Sequence, residues 1–275
     1  MASASWRWSF PLTGWKGAMI AQTRRLMRHS AGQIEGRTPP RTNIAMFIAI
    51  SELSHGRRRF SSTPDVTHQK IKGRGRFYKQ VSVREVDGRT RKWEILLDSR
   101  TLKTPARRPL MFDSMELAML VASEWDAQTN VTTGIEPATM PLMSLAATAL
   151  DQIVPHREST VSTCLKFLPT DTICFLVAQP DPALARKQAE LWSPLREWIK
   201  KELAIEVATT KDIFQRPQHS PDAVPRAREV LEATDAWTLA AIQSVAMECK
   251  SLVIALALAF GHIAPQRVSV FEEKC

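Results

Sequence analysis

Bond-making chemistry needs side chains that hold a proton, a metal ion or a nucleophilic charge at workable spacing, and this 275-residue chain supplies few. Its six histidines (His29, His55, His68, His156, His219 and His262) are scattered, and none stands in an H-E-x-x-H or Cys/His pattern that could hold zinc. Gly73 and Gly75 are the nearest approach to a phosphate-cradling loop, and no strand leads into a helix around them. There is no G-x-S-x-G elbow. Cys164 with His156 has the residue types of a nucleophile and its base, but His156 follows Pro155 between two helical patterns. Asp98, Glu124, Asp126 and Asp171 have the types for paired-carboxylate work, yet helix caps and surface ion pairs account for acids in such positions. The expectation is a binding protein rather than an enzyme, with no metal and no cofactor.

The elements that would position a binding surface begin after a basic leader. Residues 1–60 hold ten Lys/Arg and two acids, rich in Arg, Ser and Ala, which is the composition of an organelle transit peptide. Trp15, Met19 and Leu26 fall on one side of a helix there, with Arg24, Arg25 and Arg28 on the other. Arg57-Arg58-Arg59-Phe60-Ser61-Ser62 has the form of a mitochondrial processing site, with cleavage after Phe60. The alternative is a basic tail that binds RNA or lipid. Residues 61–112 carry thirteen bases against five acids, and residues 113–275 fourteen against twenty-one, so two modules with different surfaces are expected. The longest apolar run, Leu252 to Phe260, has nine residues, too few for a membrane span, which takes ~18–20. Four cysteines without a C-x-x-C pair (Cys164, Cys174, Cys249, Cys275) do not form a disulfide framework.

Residues 61–76 lack apolar periodicity and read as a linker. From Phe77 the period is two: Phe77, Val81 and Val83 alternate with polar residues, Asp87-Gly88 signals a turn, and Trp93, Ile95 and Leu97 return. Thr101–Thr104 and Arg108–Phe112 read as third and fourth strands, giving an antiparallel β domain over 77–112. After residue 113 the period is helical. Ser114 can cap a helix, Thr129–Pro141 is a loop, Leu142–Ile153 is helical, and Asp181-Pro182 starts a helix that Ser193-Pro194 restarts. Asp222 starts a short helix, and Asp235 a long one extending through Phe260. The fold class is α+β: a small antiparallel β domain followed by a helical bundle domain over 113–275.

Six segments in order resemble one family. They are Arg76-Phe77-Tyr78-Lys79, Ile95 through Pro105, Glu124-Trp125-Asp126-Ala127-Gln128, Ala138-Thr139-Met140-Pro141-Leu142, Thr170 through Cys174, and Gln188 with Trp192-Ser193-Pro194-Leu195. The set is similar to the mitochondrial F1 complex assembly factor 2 family of ATP synthase chaperones, from about residue 76 to 260. Ser99 and Thr101 stand where that family has Gly and Pro, and Glu272 aligns with its functional acidic position if a short gap is allowed. The resemblance implies a monomeric, ATP-independent chaperone of the mitochondrial matrix. It would bind the unassembled α subunit of F1-ATP synthase and neither bind nucleic acid nor insert stably in a membrane. Trp125, Asp126, Met140, Pro141 and Glu272 are then the candidate partner-binding residues, although burial in the core is the plainer reading of Trp125 and Met140. Two rival readings stay open. One is an RNA-binding protein using the basic 70–108 region, against which the near-neutral charge after residue 60 counts. The other is a small matrix enzyme.

Overall fold

Alternation of apolar and polar residues from Val81 onward is what a strand with one buried face requires. The computed structural model describes residues 76–87, 92–128, 135–178 and 182–264 and has strands there. Strand β1 (Val81–Asp87) pairs antiparallel with β2 (Lys92–Leu97), placing Val81 opposite Leu97, Val83 opposite Ile95 and Glu85 opposite Trp93. On the other side of β2 lie two short strands, β3 (Arg100–Thr101) and β4 (Met111–Phe112). As the central strand β2 is covered on both faces, so Glu94, Ile95, Leu96 and Leu97 are all buried, and Glu94 is ion-paired with Arg84. The β2–β3 turn is fixed by Asp98, which sits at φ 56°. Its Oδ1 accepts the backbone N–H groups of Lys79 (3.0 Å) and Gln80 (2.9 Å), which hold its carboxyl below the usual range.

Helix α1 (Met115–Asp126) starts where Ser114 Oγ accepts the Leu117 N–H. It buries Leu117, Ala118, Val121 and Ala122, one stripe at helical spacing, and packs on β1, β2 and β4. Each fully buried Leu or Val contributes about 1.5–3 kcal/mol. The described residues cluster into two compact units, 76–144 and 145–264, and the strands share the first with α1.

The division falls within helix α2 (Pro141–Ala147). Helix α2 continues through a π-helical turn, Thr148–Ile153, into α3 (Val154–Leu165). Pro155 explains the irregularity: it has no N–H to give, and its ring crowds the preceding turn. His156 is accordingly pushed to φ −132°, ψ 40°, a kink where two helical stretches meet, so it lies between helices as its sequence predicts.

Helix α4 (Pro182–Leu203) runs unbroken through Pro194, where a restart is predicted. Its buried stripe Trp192, Leu195, Ile199 and Leu203 stays in register across the proline, and that packing outweighs the missing hydrogen bond. Helix α5 (Ala223–Glu232) buries Ala223, Ala227 and Leu231. Its last carbonyls, with that of Thr234, accept the Arg157 guanidinium from α3.

The long final helix predicted from Asp235 is two helices, α6 (Ala236–Cys249) and α7 (Leu252–Ala259). Lys250 is left-handed (φ 51°), which stops α6, and Ser251 Oγ accepts the Ile254 N–H to start α7. Helix α7 is buried all round and packs against α4 and α6. It closes with left-handed Gly261, beyond which His262 N–H donates back to Ala257 O. Among the described residues no helix is long and apolar enough to cross a membrane. The architecture is α+β, as the two periodicities predict. The leader over 1–60 and the linker up to residue 75 lie outside the described residues.

Candidate functional site

In the first unit, three segments distant in sequence meet at the C-terminal end of α1. Arg76 donates to the Asp126 carbonyl (2.9 Å), the Gln128 carbonyl (3.2 Å) and the Asp126 carboxylate (3.1 Å). Its guanidinium also lies 4.8 Å from the centre of the Tyr78 ring. The Tyr78 hydroxyl donates to Trp125 O at 2.6 Å, and the two rings meet edge to face. The end of a helix leaves carbonyls without intrahelical donors. Arg76 and Tyr78 supply those donors, and the arginine charge also suits the negative end of the helix dipole. Burial raises the Tyr78 hydroxyl above its ordinary pKa, with the Arg76 charge opposing.

The third segment is the loop entering α2, which contains a 3₁₀ turn at Pro137–Thr139. Gln128 is buried; its Oε1 accepts the Glu136 N–H (3.0 Å), and its Nε2 donates to Thr139 Oγ1 (2.8 Å) and Glu124 O (3.2 Å). Glu124 accepts the N–H groups of Leu142 and Met143, both at 2.8 Å, and so caps the start of α2. Desolvation pushes this carboxyl up to about 7 even though both N–H groups pull it down.

Of the residues singled out from sequence, Trp125, Asp126, Met140 and Pro141 all belong to this junction, but they face different surroundings. Met140 ends the 3₁₀ turn and is 4% exposed. Trp125 is half-buried, and its indole N–H is enclosed with no hydrogen-bond acceptor among the described residues. The Asp126 carboxylate reaches the surface, paired with Arg76, and Pro141 is half-buried. Glu272 lies outside the described residues. The parts that Arg76, Tyr78 and Gln128 play are not assigned from sequence; they precede the strands or follow α1 with no periodicity to mark them.

The other groups weighed for chemistry have structural partners. Asp171 is fully buried, and its carboxylate accepts Val253 N–H (3.0 Å) and Ile173 N–H (3.3 Å), capping α7 and a 3₁₀ turn. Burial raises it to about 6. Cys164 is enclosed by apolar packing that pushes its thiol up to about 12, the opposite of nucleophile activation. Among the described residues no group of three His, Cys, Asp or Glu could hold a metal ion. A shallow cleft of about 370 Å³ in the second unit is lined by Ser193, Arg196, Lys200 and Glu206, but Arg196 already donates to Ile173 O and Ser193 Oγ, and Lys200 pairs with Glu206. The arrangement can bind and position; it assembles no proton-transfer or nucleophilic pair.

Residues 75–200 match the family model for the ATP12 chaperone protein. The chain is 29% identical over 206 residues to the protein atp12, mitochondrial, of Schizosaccharomyces pombe, covering 70% of this chain and 68% of that one. It is 24% identical over 229 residues to the protein ATP12, mitochondrial, of Saccharomyces cerevisiae, covering 72% and 69%. Among solved structures it is similar to Atp12 from Paracoccus denitrificans, with a TM-score of 0.65 and 28% identity over 73% of this chain and 83% of that one.

Proposed function

Because the chain belongs to the ATP12 family of chaperone proteins, we propose that it shields the unassembled α subunit of F1-ATP synthase in the mitochondrial matrix until that subunit joins a β neighbour. The observation that carries this reading is the family match across residues 75–200, which contains the whole α1 junction. The name "mitochondrial" borne by the two yeast relatives, together with the basic leader, supports the compartment.

An orphan subunit exposes an apolar face meant for its neighbour, and such faces aggregate. A chaperone that covers the face lowers the free concentration of the sticky species by mass action and needs no nucleotide to do so. The β subunit releases the client by competing for the same face. The chain works as a monomer and takes no nucleic acid. Asp126, Pro141 and the accessible part of Trp125 contact the client at the junction. Met140, being buried, anchors the loop rather than touching the client, and Glu272 contributes from the C-terminal segment.

The test is to recover the tagged full chain from mitochondria blocked in β-subunit synthesis and identify what accompanies it. The α subunit is expected in near-stoichiometric amount. Recovery of RNA, or of no F1 subunit, overturns the reading.

A further inference from the structure

The loop between α4 and α5 exposes two large apolar side chains at its tip, Ile213 (71% exposed) and Phe214 (91%). Exposed apolar residues on a loosely held loop would mean little. This loop is fastened on both legs. On the first, Ala204 turns left-handed (φ 55°) after α4, and Ile205 N–H donates back to Ile199 O with its side chain fully buried. Thr210 then forms a parallel bridge to Phe175: Thr210 N–H donates to Cys174 O at 2.9 Å, and Leu176 N–H to Thr210 O at 2.8 Å. On the second leg Pro217 is buried, and His219 ties two places at once. Its Nδ1 accepts the Ala208 N–H at 3.0 Å, so its Nε2 carries the proton, 2.9 Å from Leu168 O.

Between the fastenings the tip is a defined turn. Thr210 Oγ1 accepts the Asp212 N–H (3.0 Å), and Asp212 Oδ1 accepts the Phe214 N–H (2.9 Å). Asp212 is thereby occupied with its own backbone. Lys211 and Arg216, which flank the apolar pair, are exposed and have no ion-pair partner among the described residues. A rigid aromatic anchor has little conformational freedom to lose on binding, which is the character of an interface hot spot.

We propose that Ile213 and Phe214 form a docking point on this chaperone, inserting into an apolar groove bordered by carboxylates on the unassembled ATP synthase α subunit. The apolar pair supplies affinity; Lys211 and Arg216 match the acidic border and speed the encounter. This inference rests on the chaperone reading above, and the unassembled α subunit is its probe.

The test compares full-length wild type with Phe214→Ala and with the double variant Lys211→Glu/Arg216→Glu, measuring affinity for the purified α subunit at low and high salt. Phe214→Ala is expected to weaken binding about tenfold or more. The double variant is expected to bind more weakly than wild type at low salt, with the gap narrowing at high salt as the repulsion between its glutamates and the carboxylate border is screened. Both keep the wild-type thermal midpoint, since none of the three side chains is buried. Wild type that fails to bind the α subunit defeats the chaperone reading itself. Wild type that binds, with Phe214→Ala binding equally well, overturns the docking point alone. So does wild type that self-associates through the tip, being dimeric where Phe214→Ala is monomeric, with client affinity unchanged.

Discussion

A carboxylate at the start of a helix completes backbone hydrogen bonds, but when buried it resists ionisation. Glu124 shows both effects, capping α2 through Leu142 and Met143 with a pKa raised from 4.5 to about 7. Between those values the folded state keeps the proton that the unfolded chain has lost. Stability is therefore complete below about pH 4.5 and falls by about 3 kcal/mol as pH rises to 7. Glu124→Gln should remove that slope, so that its thermal midpoints at pH 6 and 7.5 nearly coincide in calorimetry. Below pH 6 a slope should persist, because Asp171, raised from 3.8 to about 6, titrates there with the same sign. A variant that keeps the wild-type slope between pH 6 and 7.5 would place the titrating group elsewhere. That these acids cap and pair was legible in the sequence; their partners were not. Glu124 reaches residues 142 and 143, and Asp171 reaches residue 253, and no local pattern encodes a contact across such separations.

Elements were legible wherever one period ran uninterrupted, as in β1, β2 and α1. Legibility failed where two signals competed. At Ser193-Pro194 the capping signal lost to a buried stripe that stays in register on both sides. At Lys250 the reverse happened: the apolar period continues from α6 into α7, but the backbone turns left-handed. Lysine gives no warning of this, since glycine or asparagine would ordinarily mark it. A left-handed non-glycine residue costs about 1–2 kcal/mol, partly offset by the greater unfolded-state freedom of glycine. Lys250→Gly should accordingly stabilise the protein by up to about 1 kcal/mol. Ser251→Ala, which removes the cap of α7, should cost about 1–2 kcal/mol. Urea unfolding measures both; two changes of the same sign would show that the break is not the constraint it appears from its backbone angles. The docking tip at Ile213–Phe214 went unread for a related reason: two apolar residues in a polar stretch have no period.

At the scale of the whole molecule the clearest sequence signal is charge. The net +9 is almost wholly carried by residues 1–60, which hold ten bases and two acids. Deleting them should abolish uptake into mitochondria, read by fractionation and protease protection; a shortened chain that still becomes protected would show the address to lie elsewhere. The grouping of elements was less legible than their kinds. Periodicity marks where strands give way to helices after residue 112, whereas the compact unit that holds the strands extends to Ser144 because α1 covers the sheet. The break at Lys250–Ser251 matters at this scale too. An unbroken helix from Ala236 to Ala259 would be about 36 Å long, enough for the ~30 Å hydrocarbon slab of a bilayer. Cut in two, it leaves rods of about 21 and 12 Å, neither of which can reach across. If the chain is imported as proposed, its greasiest stretch would then offer no spanning rod to a bilayer that it crosses.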